Sequence, residues 1–238
     1  MRKKMTLLIM AVVIGMLFTA CSESFVEDPN LQTEKEEEQE TVPESPENTE
    51  NIESEAIEYR YTEEGYIVPE QAEEIIKEIS DTVLKAIAEK DVKTWAAYVH
   101  PEKGVRFTPY TYVEKDKDII FTKDQIESFF DDEKTYLWGY YDGSGDDILL
   151  TPSEYYEKFI YTHDFLNAEK IGYNTVLSFG NAMENQFEVY ENPIIVEYYF
   201  SGFDPGYDGM DWRSLRLVFQ EYRGGWYLTG IINNQWTI

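Results

Sequence analysis

Imidazole chemistry in this chain is limited to two side chains, because His100 and His163 are its only histidines. A histidine titrates near neutral pH and can serve as a general acid or base. His100 precedes Pro101 at the predicted end of a helix, where an imidazole also caps carbonyls or packs on aromatic rings. His163 stands at the C-terminal end of another predicted helix, where the helix dipole favours a cation. We expect structural roles for both, with His100 as the alternative catalytic base.

Arg213 is the most pointed candidate for ligand binding. If its predicted strand alternates regularly, this arginine lies on the core-facing side of the sheet, and a buried guanidinium needs a partner. That partner is either a carboxylate of the protein, from Asp211 or another of its many acids, or an anionic ligand at the mouth of a pocket. Arg106 and Arg216 allow the same two interpretations. The candidate ligand-pocket residues are therefore His100, Arg106, Asp211 and Arg213, and no residue is assigned as catalytic.

Residues 142–147 (Asp-Gly-Ser-Gly-Asp-Asp) have the oxygen density of a Ca²⁺ loop. They lack the alternating ligands and distal Glu of an EF-hand, so we interpret them as a tight hairpin turn. The sequence has no zinc motif, no phosphate-binding Gly loop and no nucleophile elbow. We therefore expect no metal and no cofactor.

The first 21 residues carry a targeting signal. Three basic residues near the start precede an apolar run over 7–18, too short for an ordinary membrane-spanning helix. Residues 17–21 (Leu-Phe-Thr-Ala-Cys) resemble the lipobox of lipoprotein signal peptidase substrates, with Phe18 where Leu is more usual. The resemblance implies removal of residues 1–20 and acylation of Cys21, a stable anchor on the extracytoplasmic face of the cell membrane. The alternative is an incidental cysteine in a plain secretory signal or in a membrane anchor.

Charge and composition separate a tether from a folded domain. The chain has 47 Asp and Glu against 20 Lys and Arg, which excludes a generic nucleic-acid binder. Residues 22–58 contain 14 of the acids and Lys35 as their single base. Such a segment cannot bury enough apolar surface to offset its backbone entropy. We expect a disordered acidic tether over 21–58 and one folded domain over 59–238.

Helix signals concentrate in the first half of that domain. Apolar residues at helical spacing after Pro69, from Ile75 to Ile87, predict a long amphipathic helix. Asp91 is expected to cap a second, shorter helix that Pro101 and Gly104 end. Residues 122–125 (Thr-Lys-Asp-Gln) and 151–154 (Thr-Pro-Ser-Glu) have the capping-box pattern and predict two further short helices.

Strand signals dominate the remainder. Apolar and β-branched residues predict strands over 105–108, 118–121, 136–141, 186–190, 194–200, 215–222 and 226–232. Turns are expected at 192–193 and 223–225, with a long loop over 201–211. Helices first and a meander last indicate an α+β domain, in which the helices cover one face of a curved antiparallel sheet.

This order of elements resembles the NTF2-like, or cystatin-like, fold. The stretches 98–107 and 209–219 and the ending 235–238 also resemble a family of uncharacterised lipoproteins of Gram-positive, Firmicutes-type bacteria. The resemblance implies a cell-envelope location and no particular activity.

We expect a binding protein rather than an enzyme. Its partner would be a small molecule, a peptide or an envelope component, bound on the concave side of the sheet. The membrane anchor would hold the binding domain on the extracytoplasmic face. One alternative is an NTF2-like enzyme of the isomerase or hydratase type that uses an interior His or Asp. The other is a structural subunit of an envelope assembly.

Overall fold

The computed structural model describes residues 58–237. The predicted signal peptide, Cys21 and nearly all of the predicted tether lie outside this range. The helices are α1 (Pro69–Ala88), α2 (Val92–Ala97), α3 (Lys123–Glu127), α4 (Pro152–Tyr155) and α5 (Gln186–Val189). The strands are β1 (Val105–Thr108), β2 (Ile119–Phe121), β3 (Tyr136–Tyr140), β4 (Asp147–Leu150), β5 (Lys170–Tyr173), β6 (Ile194–Phe200), β7 (Arg213–Tyr222) and β8 (Gly225–Gln235).

The helix predicted after Pro69 is confirmed as α1. Pro69 occupies its first turn, where a missing backbone N–H costs nothing. Its fully buried side chains include Ile76, Val83 and Ile87, whereas Ile75 is only half-buried. Over residues 58–237, every helix falls short of the length and hydrophobicity that a membrane span requires.

The three helix starts that were predicted from a capping side chain are confirmed by the hydrogen bonds of the structure. The Asp91 side chain accepts a hydrogen bond from the backbone N–H of Thr94 at the start of α2. Thr122 and Thr151 each close a complete capping box, at α3 and α4. Since each box satisfies two otherwise unpaired N–H groups, it fixes where a very short helix begins.

Six strands form the main sheet, in the order β2-β1-β8-β7-β6-β5. The meander β5 to β8 is antiparallel throughout, and β1 pairs in parallel with β8. β3 and β4 form a separate antiparallel hairpin. The chain is thus an α+β protein with an antiparallel-dominated sheet, as the sequence predicts.

The two faces of the main sheet are covered differently. Leu215, Leu217 and Phe219 of β7 pack in the large core shared with α1. The opposite face, called the outer face below, carries a smaller core that includes Val113, Tyr190 and Val218. The side of the sheet expected to hold a ligand is therefore filled by the protein's own side chains.

The strand predicted over 186–190 is wrong. Residues Gln186–Val189 form the single helical turn α5, closed by a hydrogen bond from Tyr190 N to Gln186 O. A short apolar run does not distinguish a period of 2 from one of 3.6. The antiparallel neighbour of β6 is instead β5, so 192–193 is not the turn of a hairpin.

Candidate functional site

An open groove of about 660 Å³ lies between the segment after β1 and the β3–β4 hairpin. Five aromatic and three acidic side chains line its walls, and a pocket of this size is in the usual range for small ligands. The lining side chains that matter below are Tyr110, Tyr112, Glu114, Lys117, Asp118, Trp138, Tyr140, Tyr141 and Asp142.

The hairpin forms one wall because its turn is short and closed. Tyr141 N donates to Asp146 O at 2.8 Å, and Gly145 N donates to Tyr141 O at 2.8 Å. Gly143 and Gly145 have positive φ, as a tight turn of this kind requires. The segment interpreted as a hairpin turn therefore is one, and no acidic or histidine cluster suited to a metal ion occurs within residues 58–237.

The floor of the groove is anchored in the large core. Trp138 is buried and stacks on Tyr155 with ring centroids 3.9 Å apart. Its indole N–H donates to Leu150 O at 2.8 Å. Trp138 thus fixes strand β3 beside the groove. The exposed side chain of Tyr140, two residues further along β3, is therefore held on a rigid element.

Asp118 is the titratable group that distinguishes this groove. Its Oδ2 accepts hydrogen bonds from Thr108 Oγ1 at 2.6 Å and from Glu114 N at 3.1 Å. Burial raises the pKa of this carboxyl to about 6, although the Thr108 hydrogen bond and the nearby Arg106 charge oppose the rise. A carboxyl that titrates near neutral pH in a cleft is a candidate for ligand binding or proton transfer.

The remaining walls are aromatic faces and acids. Tyr112 and Tyr140 are each 47% exposed although they are large aromatic side chains. Glu114 is paired with Lys117 at 2.8 Å, which leaves Asp118 and Asp142 as acids that form no ion pair among the described residues. Tyrosine faces and net negative charge together favour a ligand that carries positive charge.

The structure places His100 in a turn rather than in a cavity. Its ring nitrogen Nδ1 accepts from the backbone N–H of Glu102 at 3.2 Å and of Lys103 at 3.0 Å. The ring packs against Tyr222 with centroids 5.1 Å apart. Burial and then the Lys103 charge lower its pKa. A neutral imidazole that caps N–H groups and packs on an aromatic ring is structural here.

His163 departs from the expectation of a favoured cation. Its ring stacks on Phe203 with centroids 4.3 Å apart. Burial first, and then the charge of Arg213, lower its pKa. The segment after α4 ends in a π-helical turn, Tyr156–Ile160, so His163 does not sit on the last carbonyls of a regular helix.

The predicted ion pair between Asp211 and Arg213 does not form. Arg213 is half-buried, and its Nη1 donates to the carbonyl oxygens of Asp211 at 3.2 Å and Trp212 at 2.8 Å. The Asp211 carboxylate accepts instead from the backbone N–H groups of Phe203 and Asp204. Asp211 and Arg213 therefore both bind backbone groups in the loop before β7. The Asp211 carboxylate binds backbone N–H groups of that loop instead of the Arg213 guanidinium.

The fully buried arginine is Arg216, which lies on the outer face of the sheet. It contacts Glu184 at 2.8 Å and Glu197 at 3.4 Å. The Glu197 carboxylate also accepts from the hydroxyls of Ser178 and Ser214. This network attaches the segment before α5 to the sheet.

Arg106 is the predicted candidate closest to the groove. Its Nη1 donates to Lys115 O at 2.8 Å, so the guanidinium braces the loop that carries Asp118. The structure therefore brings one of the four predicted residues near the groove and leaves the other three elsewhere. Sequence reasoning missed Asp118 because it sits among other acids; its one signal was its position as the first residue of the strand predicted over 118–121.

No protein-family model and no curated protein sequence matches this chain. A solved structure from Xanthomonas campestris, described as belonging to the calcium/calmodulin dependent protein kinase II association domains, covers 68% of this chain and 85% of its own. Its sequence identity is 12% and its TM-score is 0.27. A likeness this weak carries no argument about the function of the groove.

Proposed function

We propose that this chain is a lipid-anchored extracytoplasmic protein whose NTF2-like domain binds a small cationic ligand in the groove beside Asp118. The NTF2-like assignment is supported by the element order, a long helix followed by an antiparallel meander. The anchor is supported by the order of basic, apolar and small residues before Cys21. The family of Gram-positive lipoproteins remains the relationship that fits both features.

One observation carries the ligand proposal: Asp118 and the exposed tyrosines Tyr112 and Tyr140 line the same groove. A cation over an aromatic face gains about 0.5 to 2 kcal/mol, more as it is desolvated. Asp118 and Asp142 add electrostatic attraction, and Tyr112 and Tyr140 provide the faces. A neutral ligand would gain nothing from the two carboxylates beyond ordinary hydrogen bonds.

The experiment compares choline with its neutral carbon isostere, 3,3-dimethylbutanol, by calorimetric titration at pH 7.5. We expect choline to bind and the isostere to bind at least about tenfold more weakly, the equivalent of about 1.4 kcal/mol. Asp118→Asn and Tyr140→Leu should each weaken choline binding. Asp116→Asn, which removes an exposed charge two residues away, is the charge-matched control and should leave it unchanged.

Equal binding of the two probes would refute the cationic preference. Unchanged choline affinity in both groove variants would refute the site. Binding of neither probe would also count against the proposal, since both fit a groove of this volume.

A second candidate function is proton transfer by Asp118. A carboxyl whose pKa is near 6 is deprotonated for most of the time at pH 7 and can accept a proton from a bound substrate. The test is hydrogen–deuterium exchange at the α-carbon of small ketones, followed by NMR. Catalysed exchange that disappears in Asp118→Asn would favour an enzyme, whereas exchange at the uncatalysed rate would favour a binding protein.

The anchor has its own test in cells. Cys21→Ser should abolish acylation and leave the precursor uncut, because the lipoprotein signal peptidase acts on the acylated cysteine. Metabolic labelling with palmitate measures the acylation. The intact mass of the protein recovered from the membrane fraction shows whether residues 1–20 have been removed. Labelling that persists in Cys21→Ser would overturn the proposal.

A further inference from the structure

A second cavity, of about 390 Å³, opens on the outer face of the sheet, next to β1 and the end of α5. It differs from the groove in charge, because its walls carry three of the basic side chains of an otherwise acidic chain. The residues used below are Lys103, Arg106, Lys115, Tyr190, Gln220 and Thr229. We call this cavity the basic pocket.

Two of the three cations of the basic pocket donate to neutral oxygen atoms. Lys103 Nζ donates to the amide oxygen Oε1 of Gln220 at 3.0 Å, and Arg106 donates to the backbone carbonyl of Lys115. Over residues 58–237, none of the three forms a salt bridge. In a chain with net charge −27, a cavity whose lining has three basic side chains and one acid is opposite in sign to the chain as a whole.

Tyr190 supplies an independent observation. The side chain is 7% exposed, and its buried hydroxyl forms no hydrogen bond in the described structure. Burial raises the pKa of this hydroxyl, and the nearby charge of Arg106 opposes the rise. A buried hydroxyl that lacks a partner costs about 1 to 3 kcal/mol, which a ligand oxygen or a water molecule would recover. The ring lies against Gly230 of β8, where an added methyl group would overlap it. The missing side chain at Gly230 therefore makes room for this hydroxyl.

We propose that the basic pocket binds a small ligand through an oxyanion, a carboxylate or phosphate, that accepts hydrogen bonds from Tyr190, Arg106 and Lys115. Charge-assisted hydrogen bonds from lysine and arginine are the usual means of holding such groups. Ile120 and Val189 line the same cavity and add an apolar surface for the remainder of the ligand. Glu191 is the one acid in the lining, and it lies in an exposed position. This site is separate from the groove and goes beyond the function proposed for it.

The experiment titrates the folded protein with benzoate and with inorganic phosphate, using benzamide as the neutral isostere of benzoate. We expect at least one oxyanion to bind, with an affinity that falls as salt concentration rises. Lys115→Gln should weaken that binding by about tenfold, the loss of one charge-assisted hydrogen bond. Lys123→Gln, which removes a lysine on α3, is the matched control and should not change it.

Tyr190→Phe distinguishes a ligand group from a structural one. Because its hydroxyl has no protein partner, this variant should melt at the wild-type temperature or above it, yet bind the oxyanion more weakly. The proposal is overturned if neither anion binds, if benzamide binds as well as benzoate, or if Lys115→Gln and Tyr190→Phe both retain full affinity. An equal loss in Lys123→Gln would overturn it too, since it would indicate unspecific attraction. Choline binding in the groove is measured separately, so either site can fail alone.

Discussion

The carboxylate of Glu197 faces the guanidinium of Arg216 across the ladder between β6 and β7, with Glu197 Oε1 3.4 Å from Arg216 Nη2 and both side chains 1% exposed. Glu197 also accepts from the backbone N–H of Leu177 at 2.7 Å. Two charges this deep are tolerated only because each is paired and hydrogen-bonded. The pair therefore stabilises the segment around Leu177 on the outer face of the sheet.

We expect Arg216→Ala to lower the free energy of unfolding by about 3 to 5 kcal/mol, because it leaves a buried carboxylate without its cation. Urea denaturation at pH 7 measures the loss. Arg213→Ala is the matched control: this arginine is half-buried and donates only to two backbone carbonyls, so we expect a loss of about 1 kcal/mol. Equal losses in the two variants would contradict the assignment of Arg216 as the buried ion.

The contrast between these two arginines shows how far the sequence predicts this molecule. Strand alternation correctly separates Arg213 from Arg216 onto opposite faces. Alternation does not predict which of the two arginines is more deeply buried. The outer face is covered by segments such as 174–190, whose sequence has neither helical nor strand periodicity. The sequence therefore predicts Arg213, on the core-facing side, as the buried arginine, whereas the fully buried arginine is Arg216 on the outer face.

Helix-capping signals were reliable, whereas short apolar runs and features that depend on long-range contacts were not. The helix starts at Asp91, Thr122 and Thr151 depend on hydrogen bonds between groups within three residues of each other. The local sequence is therefore enough to predict them. β5 and β4 were not predicted, because their short strands owe their conformation to partners on other segments. The groove was missed for the same reason: Asp118 and the tyrosines come together only through tertiary contacts.

Gly104 provides a test of close backbone approach. Its φ is +68°, and a Cβ there would lie 2.5 Å from the carbonyl oxygen of Phe121 in β2. We expect Gly104→Ala to cost more than about 2 kcal/mol, since strain of the backbone adds to a clash with the neighbouring strand. Thermal unfolding of the variant and of the wild type measures this loss of stability.

Gly143→Ala is the control for that measurement. Gly143 has a φ of +84°, and nothing lies within 4 Å of an added Cβ. Only the backbone strain applies, so we expect a loss of about 1 kcal/mol. If both alanine variants lost the same stability, the approach of Phe121 to Gly104 would not be limiting.

The capping box at α4 should be measurable by a single substitution. Thr151 Oγ1 accepts from Glu154 N, and the Glu154 carboxylate accepts from Thr151 N at 2.8 Å. Thr151→Ala should therefore cost about 1 kcal/mol in chemical denaturation, while Thr151→Ser, which retains the hydroxyl, should cost much less. A full loss in the serine variant would indicate that the methyl group, not the cap, is responsible.

The raised pKa of Asp118 predicts the sign of a pH dependence. The carboxyl titrates at about 6 in the folded protein and at 3.8 in the reference state, so the folded state binds the proton more tightly between these values. Its contribution to stability is thus present below about pH 4 and is lost as pH rises through about 6, by up to about 3 kcal/mol. Asp118→Asn has no such titration, so its stability relative to wild type should increase across this range and then level off. Urea titrations from pH 4 to pH 8 measure the difference, and a flat or falling curve would show that burial does not dominate at Asp118.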